Sequence, residues 1–596
     1  MIIYKYKGDY MKVIKRDGRA VEYNSEKIRI AIGKANKEVS KDEKVSSRQI
    51  DNIIKYIEQL DKKRILVEDI QDIIEKKLME QKKYELAKKY IIYRYTRALI
   101  RKQNTTDESI LGLLRGNTDR ENYKRVFQLS EKRSLIAKEV SKDISERVLI
   151  KENIVSSHND GDIYFHNMDY FIDSAINTSL IDIEDMLSNG FNIKDVEYKE
   201  PENFIEAIFE VISILTEVSK NQYGTITIDI NPLSKYLFKT YNYYKDIYIS
   251  LADESLMQGV KILLSFLNNI DSNDVFLYMN SDNKKYEEFM YKIIEAVLEE
   301  KTKHIYDNVK LIYVLNDKNI KDELTHKAIN CLNKTGYPNL LSQKVMTKKY
   351  NQVFPPIGMQ IFLPPIKENG KIINKGRFSQ GIVSINLVRI AILNKYNIDG
   401  FYEMLEEKLE IAKEALMCKY FTIKGNTTLM SPIHFEEGAI SRLSRGESIE
   451  KYLNKEYSCI SLGYVGLKNT VDLLTKDEDK KSDIAINILK YIKNKCMEWE
   501  KETDISFVLS SPDEKTVNKY FSMKDKDKYG IIKGVNDKDY VKNCDFNIDL
   551  NDMELEHNFH MNVDGYISRV NLTTNEQENI DLIEKIYDKL LYIGKR

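Results

Sequence analysis

Apolar residues recur along this chain in two rhythms. Near the start, Met11-Lys-Val-Ile-Lys-Arg-Asp-Gly18 and Arg19-Ala-Val-Glu-Tyr23 flank an Asp-Gly pair, which predicts two short strands around a tight turn. Asn24-Ser-Glu-Lys27 then supplies an N-cap, and Ile28, Ala31, Ile32 and Ala35 share one face of a helix over 27–37. The same period predicts helices over 65–78, opened by Val67-Glu-Asp69, and over 84–99. Residues 101–119 are polar and read as a linker ending in helix, 233–310 alternate amphipathic helix and loop, and Lys310–Asn319 reads as a strand running into a turn.

The stretch that organises the rest is Val353-Phe-Pro-Pro-Ile-Gly-Met-Gln-Ile-Phe-Leu-Pro-Pro365, followed by Gly376-Arg-Phe-Ser-Gln-Gly-Ile-Val-Ser-Ile-Asn-Leu387. Four of the chain's nine prolines lie in the first segment, which forbids a helix interior and predicts a rigid loop. The second is a Gly-bounded strand in which Ile382, Val383 and Ile385 suit burial on both faces. A rigid loop beside a buried strand is how a barrel holds one side chain at its centre.

Composition narrows the function classes. At 596 residues the chain is too long for one small core, and one small plus one large domain is expected. Lys plus Arg number 92 against 93 Asp plus Glu, which leaves no bulk field to attract nucleic acid. The charged N-terminus lacks a signal core, and no run approaches the ~18 apolar residues of a membrane span, so a cytoplasmic protein is expected. Five cysteines, at 331, 418, 459, 496 and 544, form no Cys-x-x-Cys pair and read as reduced thiols rather than disulfides or a local zinc site. His158 and His166 are seven residues apart with no third ligand nearby, so no metal is expected in this chain.

The motifs carry a resemblance. Val13-Ile-Lys-Arg-Asp-Gly18 with Ala87-Lys-Lys-Tyr-Ile-Ile-Tyr-Arg94 resembles the ATP-cone domain, which assigns 1–10 to an extension and 11–103 to a small α+β nucleotide-binding domain. There Val13 would back an adenine, while Lys15, Arg16 and Lys27, with Asp17 in the turn, would face the triphosphate of ATP or dATP acting as an allosteric ligand. Taken alone, such a charged turn is more often simply solvated.

The proline loop and its strand resemble the finger loop of anaerobic (class III) ribonucleotide reductases, with a pattern near Met-Gly-Cys-Arg-Ser-Phe-Leu and then Gly-Arg-Phe-Asn-Gln-Gly-Val-Val-Ser-Ile-Asn-Leu. The resemblance runs almost continuously over 104–596 and implies a ten-stranded α/β barrel. It implies a substrate pocket containing His158, Gly161 and His166 of Ser157-His-Asn-Asp-Gly-Asp-Ile-Tyr-Phe-His166, and Gln222, Tyr223 and Gly224 of Asn221-Gln-Tyr-Gly-Thr-Ile-Thr227. It adds Ser461 and Gly463, and the opening Ser511-Pro512-Asp513-Glu514, which suits phosphate at a helix N-terminus or a plain helix cap.

The chemistry implied by the resemblance is interrupted. The family's thiyl-radical Cys corresponds to Met359, its second Cys to Thr178, and the Asn of Gly-Arg-Phe-Asn to Ser379; one of two glycines near the substrate is Thr225. Family chains continue past the last barrel strand into a zinc and glycyl-radical domain, whereas this sequence stops at Arg596, so neither is expected here. Asn562-Val-Asp-Gly-Tyr-Ile567 looks superficially like the glycyl loop, but Ser-Arg-Val-Asn-Leu after it matches a segment preceding the zinc domain, so Gly565 is not expected to carry a radical. The favoured reading is a degenerate paralogue that binds nucleotides, pairing as a homodimer or with an intact reductase chain. The other is the large piece of a split ribonucleoside-triphosphate reductase, with its radical domain in trans and a radical-SAM activase as partner. Splitting does not account for the loss of Met359 and Thr178 as cysteines.

Overall fold

A computed structural model describes residues 12–14, 20–37, 39–60, 64–92, 129–244, 248–270, 274–281, 285–368, 370–511, 515–540 and 553–596. The chain forms two compact units, residues 1–140 and 141–596. The junction expected at 103/104 falls in 93–128, outside the described residues.

In the first unit the strands Lys12–Ile14 and Ala20–Glu22 pair antiparallel, Val13 opposite Val21; the turn expected at Asp17-Gly18 lies outside the described residues. Arg64–Leu66 adds in parallel on the other side, so the start of the stretch expected as helix is strand: edge pairing overrides the helical rhythm there. Helices Glu26–Asn36, Ser47–Glu58 and Val67–Glu80 bury Ile32, Ile57 and Leu78 together with Leu86, from a helical stretch over 84–92. Asn24 Oδ1 accepts from the Glu26 amide, and the second helix carries a Ser46/Gln49 capping box.

The second unit is the barrel. Five parallel strands, Thr178–Ile181, Ile226–Asp229, Val275–Met279, Val309–Leu315 and Asn339–Ser342, form one half. The other half contains Arg377–Asn386, Ser458–Val465 and Ser506–Ser510, then Ser568–Val570 beside Tyr592–Lys595, each set parallel. A parallel bridge from Ser510 to Gly565 links these two sets. The halves meet antiparallel at two seams, Arg377–Asn386 against Thr178–Ile181 and Asn339–Ser342 against Tyr592–Lys595. An eleventh short strand, Ile163–Phe165, pairs antiparallel with Arg377–Asn386 outside this ten-strand circuit.

Alternation decides what faces inward. In Ser458–Val465, Ile460, Leu462 and Tyr464 pack into the core shared with the surrounding helices, which turns Cys459, Ser461 and Gly463 to the barrel interior. The finger loop fills that interior. Ile357 and Ile361 close it with two backbone hydrogen bonds, 2.8 and 3.3 Å, leaving Gly358, Met359 and Gln360 as its tip. Phe354 and Phe362 anchor its stem among Phe276, Tyr278, Ile312 and Tyr592.

Candidate functional site

A cavity of about 560 Å³ opens at the end of the barrel where the first five strands begin. Its wall takes Asn177 and Thr178 from one strand start, Tyr223, Gly224 and Thr225 before the next, and Asp274 and Asn308 before the two after that. His166 follows the short strand Ile163–Phe165, Ser510 ends its own strand, and Met359 and Gln360 reach in from the loop tip. A cavity of this size suits a nucleotide-sized ligand, and its polar groups are amides, hydroxyls, one imidazole and one carboxylate. Burial lifts Asp274 above the ordinary carboxylate range, opposed by Lys310 at 3.9 Å.

Thr178, Thr225 and Ser379 lie around the base of the loop tip. Thr178 sits directly across the antiparallel seam from Ser379, and Ser379 is in turn paired with Cys459. Gly358, with φ of +64°, lies so close to Thr225 and Thr178 that an added Cβ would meet Thr225 Oγ1 at 2.6 Å and Thr178 Cγ2 at 2.8 Å. Thr178 Oγ1 donates to Asn177 Oδ1 at 2.6 Å and accepts from the Thr225 amide at 3.3 Å. The Gly358 amide donates to Thr227 Oγ1 at 2.9 Å. On the far side of the tip, Gln360 Nε2 donates to the Ser511 carbonyl at 2.5 Å, and Gly565 packs its backbone on the Gln360 carbonyl. The loop is thus gripped from both halves of the barrel.

Several residues expected in the pocket lie elsewhere. His158 belongs to the helix Glu152–Asp160, away from the cavity wall: its Nδ1 accepts from the Phe165 amide and its ring stacks on Tyr520 at 5.3 Å. Burial pushes its pKa down to about 3, so it packs as a neutral ring. Gly161 is the left-handed C-cap of that helix. Gln222 is buried behind the cavity wall, and Ser461 and Gly463 face the interior without lining the cavity. Ser511 is buried beside the finger loop, while Pro512, Asp513 and Glu514 lie outside the described residues. Asn177, Asp274, Asn308, Gln360 and Ser510 line the cavity but were not singled out as site residues in the sequence, because they come from strand starts or ends and a loop tip far apart along the chain.

Among the described residues no cysteine lines the cavity. Cys459 packs under Ile357 and Ile361, fully buried, with its thiol pushed up to about 12 by burial. Cys331, Cys418 and Cys496 are free thiols away from the cavity, and Cys544 lies outside the described residues. Among the described residues no cluster of His, Cys, Asp and Glu suits a metal ion, and no helix is long and apolar enough to cross a membrane.

In the first unit, a smaller cavity of about 160 Å³ is lined by Val13, Tyr23, Asn24, Lys27, Gln71 and Tyr90, among others. Val13 and Lys27 therefore share one pocket, with apolar walls from Ile28, Ile70 and Ile74. Lys15, Arg16 and Asp17 lie outside the described residues.

An N-terminal unit holding a small pocket and a ten-strand circuit threaded by a loop define a nucleotide-reductase type of architecture. The chain belongs to the anaerobic ribonucleoside-triphosphate reductase family, whose profile matches residues 121–594, preceded by a match to the ATP cone domain over 11–99. It is 27% identical to the anaerobic ribonucleoside-triphosphate reductase of Haemophilus influenzae, over 98% of this chain and 89% of that one. The enzyme of the same name from Salmonella typhimurium is 26% identical, over 90% of this chain and 81% of its own. Its fold is that of the anaerobic ribonucleotide reductase from Thermotoga maritima in complex with dATP and CTP, with a TM-score of 0.64 at 14% identity, covering 83% of this chain and 90% of that one.

Proposed function

We propose that this chain is a nucleotide-binding member of the family that does not itself reduce ribonucleotides. The N-terminal pocket takes ATP or dATP as an effector, and the barrel cavity takes a nucleotide. The carrying observation is that Met359 and Thr178, which the sequence resemblance aligns with the family's two thiols, line the same cavity and neither bears an S–H. A thiol can lend a hydrogen atom to a ribose carbon and recover it because the two bonds are of similar strength. A thioether has no hydrogen to exchange, and an alcohol O–H is too strong and forms no disulfide.

Binding is supported by what surrounds those two positions. Asn177, Tyr223, His166 and Ser510 still present donors and acceptors to the cavity. The Thermotoga maritima relative is described with dATP and CTP bound. In the first unit Val13 supplies an apolar wall and Lys27 a cation within one pocket. Partner chains, a pairing with an intact reductase among them, belong to this same reading.

Titration of the full chain with dATP and each of the four ribonucleoside triphosphates tests it. Two classes of site are expected, and failure of every nucleotide to bind contradicts the proposal. Deoxynucleotide formed only after a separate glycyl-radical protein is added would favour the split enzyme.

A further inference from the structure

Behind the cavity wall runs a chain of buried polar groups, Ser431, His434, Gln222 and Ser179, none of which lines the cavity. His434 is fully buried in the short helix Pro432–Phe435. Its Nδ1 lies 2.6 Å from Ser431 Oγ and its Nε2 lies 3.1 Å from Gln222 Oε1. An amide oxygen only accepts, so Nε2 carries the proton and Nδ1 accepts from the Ser431 hydroxyl. Burial holds the ring neutral, with its pKa down at about 3. Gln222 Oε1 accepts a second bond from Ser179 Oγ at 2.6 Å, and Gln222 Nε2 donates to the Thr225 carbonyl at 2.7 Å. Each group's orientation is thus dictated by the one before it.

The network ends on the cavity rim. Thr225 is held by its carbonyl to Gln222 and by its amide to Thr178 Oγ1, and the Gly224 amide donates to the Asn177 carbonyl at 2.6 Å. Thr225 and Thr178 are also the side chains that press on Gly358, next to Met359. We infer that His434 is a positioning residue: fixed by Ser431, it sets the Gln222 amide, which holds the Gly224–Thr225 rim against Thr178 and the finger-loop tip. The consequence for nucleotide affinity rests on the function proposed above. Buried networks of this kind are costly when half satisfied, which is why one imidazole can govern a rim it does not touch.

The test uses the full chain and three variants, His434→Phe, Gln222→Met and the double variant, with Ser431→Ala as the smaller change should His434→Phe fail to fold. Amide hydrogen exchange over residues 221–228 reads the rim. Calorimetry with each ribonucleoside triphosphate reads the site. The expected result is faster exchange confined to that segment, roughly tenfold weaker binding in each single variant, and a double variant no worse than either alone, because groups acting through one chain are not additive. Exchange that is unchanged, or that rises throughout the barrel, overturns the positioning role, as do additive losses. A wild-type chain that binds no nucleotide overturns the proposed function, and the exchange pattern still decides the role of His434.

Discussion

The two cavities differ in what each presents to a ligand. The N-terminal pocket sets Val13 in an apolar wall beside the cation of Lys27 within one small space. The barrel cavity is walled by strand starts and polar groups with the loop tip inside it, and Met359 and Thr178 are the residues on which the proposed loss of hydrogen transfer rests. On the proposed function, recognition and chemistry separate in the barrel: amides and hydroxyls enclose a ligand, and neither Met359 nor Thr178 offers an S–H. Thr178 and Thr225 pack against Gly358, with Ser379 across the strand from Thr178. Thr178 Oγ1 is satisfied on both sides, by Asn177 and by the Thr225 amide.

The largest effect should come from Gly358→Val. At φ of +64°, with Thr225 and Thr178 in the way, a branched side chain must displace the loop. The barrel should lose about 2–4 kcal/mol of stability in denaturant titrations and its nucleotide site altogether, while the N-terminal site binds as before. Loss of both sites together would mean the two are not separable. The reciprocal change is Lys27→Ala, which removes a charge-assisted phosphate contact worth about 1.5–3 kcal/mol. Calorimetry should show ATP binding to the N-terminal unit weakened by roughly tenfold or more and the barrel site untouched.

Acid should also tell the two units apart. All seven histidines fall in residues 141–596. Burial holds His158 and His434 down at about 3, and His560 well below its ordinary value. In the unfolded chain these rings protonate near pH 6.5, so the stability they contribute is full above that pH and is lost as pH falls toward 3. Each should remove up to about 1.4 kcal/mol per pH unit below 6.5. Thermal melts between pH 7 and 5 should show the barrel transition falling and the N-terminal one nearly still. The smallest effect should be that of Met359→Leu, a volume-conserving change that should shift stability by less than about 1.5 kcal/mol and leave nucleotide affinity alone. A large change in binding would give the thioether a role beyond packing.

Much of this was legible in the sequence, for identifiable reasons. Prolines 355, 356, 364 and 365 announced the rigid loop, and glycine-bounded runs of Ile and Val announced the strand beside it. The antiparallel N-terminal pair followed from the Asp-Gly turn. What could not be read was which residues converge. Asp274 and Asn308 become cavity residues only because two strands start side by side in the barrel, and nothing local marks them. His158 and Gly161 precede the short strand Ile163–Phe165, but linear proximity did not reveal that a helix and its C-cap would turn them from the cavity. Nothing local marks His434 either, since the Gln222 it orients is over two hundred residues away.

The measurement that bears most directly on the account is anaerobic turnover of labelled ribonucleoside triphosphates by the purified chain, given an activase, S-adenosylmethionine and a reductant. The account predicts bound nucleotide and no deoxynucleotide, and it predicts that Met359→Cys alone does not restore turnover because Thr178 still offers no second thiol. Deoxynucleotide formed by the unmodified chain would contradict it.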